Sequence, residues 1–193
     1  MSLSLDTLLT EIRACRQCEA DLPLGPRPVV QADARARILI VGQAPGTAVH
    51  ASGIPFDDPS GVRLREWMRV DPETFYDARR IALAPMGFCY PGRGKSGDLP
   101  PKKRCAATWR APLLAQLPNI ELTLVLGQYA IAWHLPEAKG LTLAETVRRC
   151  DHGSAGLMPM PHPSPRNNLW LRKNAWFEAE VVPLLRRRVA ALL

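Results

Sequence analysis

The chain has 193 residues, with 25 Lys and Arg against 18 Asp and Glu for a formal charge of +7, and it carries 19 Pro, 13 Gly and five Cys. At about 100 to 200 residues per domain, a single domain spanning 1–193 is predicted, and 47% hydrophobic with 22% charged residues excludes a disordered or fibrous chain. No run reaches the roughly 18 apolar residues of a membrane span, while the positive surplus permits an anionic partner such as nucleic acid.

The opening residues, MSLSLDTLLTEIRA, carry acids where a secretory signal has a basic start and an apolar run, so a cytoplasmic protein is expected. A helix is predicted over Ser4–Ala14. The first short apolar run, Arg37–Val41 (RILIV), ends in Gly42-Gln43-Ala44-Pro45-Gly46, and a helical pattern follows over Ser60–Val70. The second, Ile81–Pro85 (IALAP), leads into Met86-Gly87-Phe88-Cys89-Tyr90-Pro91-Gly92 and a helix over about Pro101–Leu117. The third, Leu122–Leu126 (LTLVL), passes through Gly127 to helical stretches at Gln128–Leu135 and Leu143–Arg149. The fourth, Leu157–Met160 (LMPM), ends in Pro161-His162-Pro163-Ser164-Pro165-Arg166-Asn167, before a last helix over Ala175–Leu193. Continuous rather than alternating apolarity suits strands covered on both faces. Strand alternating with helix predicts an α/β fold, a three-layer α/β/α sandwich around a four-stranded, mostly parallel sheet. In such sheets ligands bind outside the carboxyl ends of the strands. The site is therefore expected directly after Val41, Pro85, Leu126 and Met160. The third of these ends reads as a plain turn; the other three do not.

In a reducing compartment five cysteines do not form a disulfide framework, which leaves metal, cluster or plain core thiols. Cys15 and Cys18 make a CxxC, a weak signal by itself. Cys89 and Cys105 stand too far apart for a zinc knuckle, whose cysteines usually lie two to four apart. Cys150 reads as an ordinary thiol.

GQAPG after a first strand and HPSPRN after a last one together resemble the pattern of the uracil-DNA glycosylase superfamily, and the resemblance runs from the first Cys pair to the last helix. Gly42 to Gly46 is similar to the GEAPG of the iron-sulfur family 4, and Gly53-Ile54-Pro55-Phe56 to its GRPF. His162 to Asn167 is identical to the HPSPRN of the single-strand-selective monofunctional branch. The resemblance implies a monofunctional glycosylase that flips uracil or another deaminated base out of DNA and hydrolyses its N-glycosidic bond. It assigns the aromatic platform to Phe56. It sets His162, with the backbone N–H groups of Gln43 and Ala44, against the carbonyl oxygen of the departing base. Ser164, Arg166 and Asn167 are implied as DNA contacts, and Gly87 stands near a base-reading Asn of the single-strand-selective branch. Cys15, Cys18, Cys89 and Cys105 reproduce the spacing that holds a [4Fe–4S] cluster in families 4 and 5. A monomer acting on DNA, away from membranes, is expected.

The chain departs from the pattern in two places. Ala44 stands where family 1 has Asp, and Gln43 where family 4 has Glu. Asp58 matches an acid of family 5, but an acid just before a helix is equally an N-terminal cap. Gln43 is the other candidate to place the water, without acting as a base. No Asn occurs between Leu24 and Pro118, so reading of the base is expected from the backbone of Met86 to Phe88 or from elsewhere. Arg93, Lys95, Lys102, Lys103 and Arg104 form a basic loop that either tracks phosphate or is a solvated helix start. Arg186 to Arg188 read as a solvated helix face. Two rivals stay open: a non-catalytic DNA-binding protein and an iron-sulfur redox protein on the same scaffold. Residues 90–104 contain no His, which argues against covalent capture of DNA from that loop.

Overall fold

The computed structural model describes residues 4–95, 97–152 and 156–193. Its strands in chain order are β1 (Ile38–Val41), β2 (Ile81–Leu83), β3 (Arg93–Gly94), β4 (Gly97–Asp98), β5 (Leu122–Leu126) and β6 (Leu157–Met160). Its α-helices are α1 (Leu5–Arg13), α2 (Thr47–Ser52), α3 (Pro59–Met68), α4 (Pro72–Tyr76), α5 (Lys103–Ala115), α6 (Gln128–His134), α7 (Leu143–Arg149), α8 (Asn168–Lys173) and α9 (Val182–Leu192).

Four strands form one parallel sheet in the order β2-β1-β5-β6, so the chain starts in the middle and winds outward both ways. All four expected strands are present, and the sheet is parallel throughout. Alternate residues of the central strands serve opposite faces. Ile38, Ile40, Leu122, Leu124 and Leu126 join Leu64, Trp67, Phe177 and Leu185 of α3 and the C-terminal helical segment. Leu39, Val41 and Val125 join Leu8, Ile12, Leu113 and Ile131 of α1, α5 and α6. That two-sided burial is why these strands are apolar at every position except the buried Thr123 of β5. Both sheet edges are managed locally. Gln31 exchanges backbone hydrogen bonds of 3.0 and 2.7 Å with Leu83, covering β2. Pro159 sits in the edge strand β6, where its missing N–H costs no ladder bond on the open side.

The expected last helix is interrupted. Residues Phe177–Val181 form a π turn, and Val182 N–H reaches back five residues to Phe177 O before α9 begins. Pro183, without an N–H, cannot continue an α ladder from the preceding turn, and the wider pitch accommodates it. The β3–β4 hairpin, α2, α4 and α8 were not anticipated; each is too short to show a period. Among the described residues no helix is long and apolar enough to cross a membrane.

Candidate active site

The carboxyl ends of β1, β5 and β6 open into one groove of about 590 Å³, bordered by Gln43, Ala44, Asp58, Gly127, His162 and Arg166 among others. A smaller pocket of about 40 Å³ continues inward between Gly42, Phe56, Pro85 and His162. Gly42 is the hinge of this arrangement. A methyl group on it would lie 3.3 Å from the Phe56 ring and 3.8 Å from His162 Nε2. The ring and the imidazole therefore converge on one point beside β1.

Phe56 is held there by an unusual backbone. Its φ is 56°, the left-handed region that bulky residues avoid. Gly61 of α3 packs directly on its carbonyl, so that a methyl group there would fall 1.7 Å from the Phe56 oxygen. Phe75 meets the ring edge-on at a centroid distance of 6.1 Å. Two residues on, Asp58 caps α3: its Oδ1 accepts from Gly61 N–H at 2.9 Å. Asp58 still lines both the groove and the inner pocket. Cap and pocket residue are thus one side chain, not alternatives.

His162 is half-buried, and its loop is stapled from three directions. Asn167 Nδ2 donates to His162 O at 2.7 Å. Arg63 of α3 donates to the carbonyls of Pro163 and Ser164 and to Asn168 Oδ1. Ser164 N–H donates to His162 Nδ1 at 3.2 Å, which makes Nδ1 an acceptor and puts the proton of the neutral ring on Nε2, toward the inner pocket. Burial pulls the His162 pKa below its ordinary 6.5, with Asp58 and Asp98 opposing. Both effects of position favour a neutral Nε2–H donor.

The first motif is knitted to the second strand end. Met86 N–H donates to Gly42 O, Gly87 N–H to Gln43 O, and Phe88 N–H to Cys105 Sγ. The backbone of Met86 to Phe88 is expected to read the base, yet all three of its N–H groups are engaged here, and Phe88 O accepts from Val29 N–H at 2.7 Å. Gly87 itself faces Pro101 and borders the cysteine cavity rather than the groove. By contrast the N–H groups of Gln43 and Ala44 take no acceptor among the described residues. The Gln43 side chain is not free: its Nε2 donates to Leu99 O at 3.0 Å, tying β1 to the segment after β4. Ser164 Oγ accepts from Arg166 N–H at 3.3 Å, and the exposed Arg166 lies against Gly97. The third strand end is not plain, since Gly127, Gln128 and Tyr129 border the groove.

Cys15, Cys18, Cys89 and Cys105, all free thiols, border a second cavity with Ile12, Leu22, Phe88 and Trp109. Two of the sulfurs already accept N–H groups: Cys15 from Trp109 Nε1 at 3.4 Å and Cys105 from Phe88 at 3.3 Å. Burial pushes the Cys89 thiol up to about 11 and Cys105 to about 12. Among the described residues no group of three or more His, Cys, Asp or Glu is arranged to hold a metal ion. The four cysteines line this one cavity, and four thiolates are the donor set of an iron–sulfur cluster as well as of a structural zinc ion.

Of the basic loop, Arg93, Lys95, Lys103 and Arg104 are exposed, Arg104 donating to Gln17 O at 2.8 Å, and Lys102 borders the cysteine cavity. Arg186 is not a bare solvated side chain; it donates to the carbonyls of Trp67 and Glu66 at the end of α3.

Residues 29–186 match the family model of the Uracil DNA glycosylase superfamily. The chain belongs to that superfamily. Membership supports a function of the DNA glycosylase type, exercised on DNA, and accounts for the α/β/α architecture around the groove. Asp98 and Arg63, both close to the site, carry no motif, and only their placement in space reveals them.

Proposed function

We propose that this superfamily member is a monofunctional glycosylase that draws uracil or another deaminated base from DNA and hydrolyses its glycosidic bond. The observation that supports it is the convergence of Phe56, the His162 Nε2–H and Asp58 on one pocket, beside the unspent N–H groups of Gln43 and Ala44. An extruded base stacks on Phe56 with a carbonyl oxygen toward His162. As the C1′–N bond breaks, its electron pair leaves on the base, and the Nε2–H and backbone donors stabilise the resulting anion. Water adds to C1′ from the groove. Asp58, fixed through one oxygen by Gly61 N–H, offers its other oxygen to the water and takes its proton. Gln43 holds the hairpin wall of the groove, and Ser164, Arg166 and Asn167 shape the edge that meets the phosphates.

Cys15, Cys18, Cys89 and Cys105 would hold a [4Fe–4S] cluster. Such a cluster supplies a rigid crosslink, here between the segment after α1 and the segment that leads to α5. Thiols at about 11 and 12 must lose their protons on binding it, so loading is favoured by rising pH.

Incubating the protein with single- and double-stranded oligonucleotides carrying uracil, hypoxanthine or xanthine tests the reading: an abasic product from at least one is expected. Binding without any product would leave a DNA-binding protein that is not an enzyme. Iron and acid-labile sulfide in equal amounts, lost in Cys89→Ser, are expected for the cluster; a colourless, iron-free protein purified without oxygen would refute it.

A further inference from the structure

The groove has a third wall that carries no motif. The β3–β4 hairpin lies within the segment between Cys89 and Cys105, and it reaches both motif loops. Leu99, just beyond β4, accepts from the Gln43 side chain at 3.0 Å. Arg166 crosses Gly97 so closely that a methyl group there would fall 1.9 Å from its Nη1. Asp98 stands between these two contacts. It borders the same groove as Asp58, and a methyl group on Gly46 would lie 3.7 Å from its Oδ2. Asp58 lines both this groove and the inner pocket, and Asp98 lines the groove outside it; the charges of both oppose the lowering of the His162 pKa by burial. Asp58 has one oxygen committed to a helix cap. Asp98 takes no hydrogen bond or ion pair among the described residues. A solvent-facing carboxylate in a groove that receives DNA repels phosphate and stabilises the complex only if positive charge develops beside it.

We propose that Asp98 is a second carboxylate of the reaction site, facing the deoxyribose of the extruded nucleotide and stabilising the positive charge that develops on it; this rests on the glycosylase reading above. With the base between Phe56 and His162, its sugar lies at the pocket mouth. When the C1′–N bond breaks, the electron pair leaves with the base and the sugar is left cationic. Asp98 forms no bond to it and acts through space. The water oxygen then bonds to C1′, and its proton passes to Asp58. The work of the acid absent from positions 43 and 44 is thus divided, Asp58 serving the water and Asp98 the sugar.

Two oligonucleotides test this, one with a cationic pyrrolidine in place of a deoxyribose and one with neutral tetrahydrofuran. Wild-type protein is expected to bind the pyrrolidine more tightly. Asp98→Asn is expected to cut that preference about tenfold, as loss of one nearby charge does, with tetrahydrofuran affinity held or raised as one phosphate-repelling charge is removed, and Asp98→Glu to restore part of the preference. An unchanged preference in Asp98→Asn overturns the proposal. So does an equal loss of affinity for both oligonucleotides, which marks a residue that only shapes the groove or orients Arg166. The readout is binding, so it is separate from turnover: a wild-type protein that prefers the pyrrolidine yet releases no base refutes the glycosylase reading, and the variant still decides the role of Asp98.

Discussion

Phe56 holds a left-handed backbone, a conformation that costs about 1–3 kcal/mol and persists only where neighbours enforce it. Gly61 is that neighbour, because any side chain there collides with the Phe56 carbonyl. Gly61→Ala is therefore expected to destabilise the fold by about 1–3 kcal/mol, read as a lower melting temperature, and to weaken binding of the extruded base. Asp58 separates two duties. Asn caps helices about as well as Asp, whereas Ala loses about 1 kcal/mol. Asp58→Asn is expected to melt like wild type but to excise far more slowly, and Asp58→Ala to lose on both measures. Equal excision by Asp58→Asn and wild type would assign the residue to the cap alone. The sequence offers cap or catalyst as alternatives, since it shows only an acid before a helix. The structure makes them compatible, since a carboxylate has two oxygens and only one is used by Gly61.

At the level of elements, the hairpin and the two motif loops form one connected wall. The Gln43 amide donates to Leu99 O, and Leu99 N–H in turn donates to Gly92 O at 2.8 Å. Gln43→Glu installs the acid found in family 4, yet here it sets a carboxylate against a carbonyl oxygen. The expected result is not a faster enzyme but a looser hairpin, with amide exchange at Leu99 accelerated about 5- to 30-fold, the factor that 1–2 kcal/mol produces. Unchanged exchange would show that the hairpin is held by other contacts. The strands and long helices were legible because buried strands and amphipathic helices impose composition along the chain. The hairpin was not, because two-residue strands have no period and its contact with the first motif comes from a residue more than fifty positions away.

Across the whole molecule, Arg110 joins layers that the motifs leave separate. It is 2% exposed, lies on α5 with Cys105, and donates to the carbonyls of Ala84 and Pro85 at the end of β2 and to His134 Nε2 on α6. Trp133 covers its guanidinium at 5.5 Å. Arg110→Met is expected to leave those carbonyls without donors at a cost of about 1–3 kcal/mol each, seen as a large fall in melting temperature. Acid acts on the same region. Burial, with the charge of Arg110, holds His134 near 4 against an ordinary 6.5, and burial lowers His152 and His162 as well. Groups with lowered folded pKa values take up protons on unfolding, so this stability is whole above about pH 6.5 and is lost as pH falls toward 4. Melting temperature is expected to drop across that window, and less steeply in His134→Gln. Excision should fall in acid too, because a protonated Nδ1 on His162 would face the Ser164 N–H donor.

The sequence by itself determined the α/β/α architecture, the strand ends at which the site opens and the residue types gathered there, because burial on two faces and sharp turns constrain residue type position by position. Tertiary structure alone decided which groups remain available for chemistry. It spends the N–H groups of Met86, Gly87 and Phe88, leaves those of Gln43 and Ala44 without an acceptor among the described residues, and brings Asp98 into the groove with Asp58 and His162. Hydrogen-bond partnership is a property of distance in space, and spacing along the chain carries no record of it.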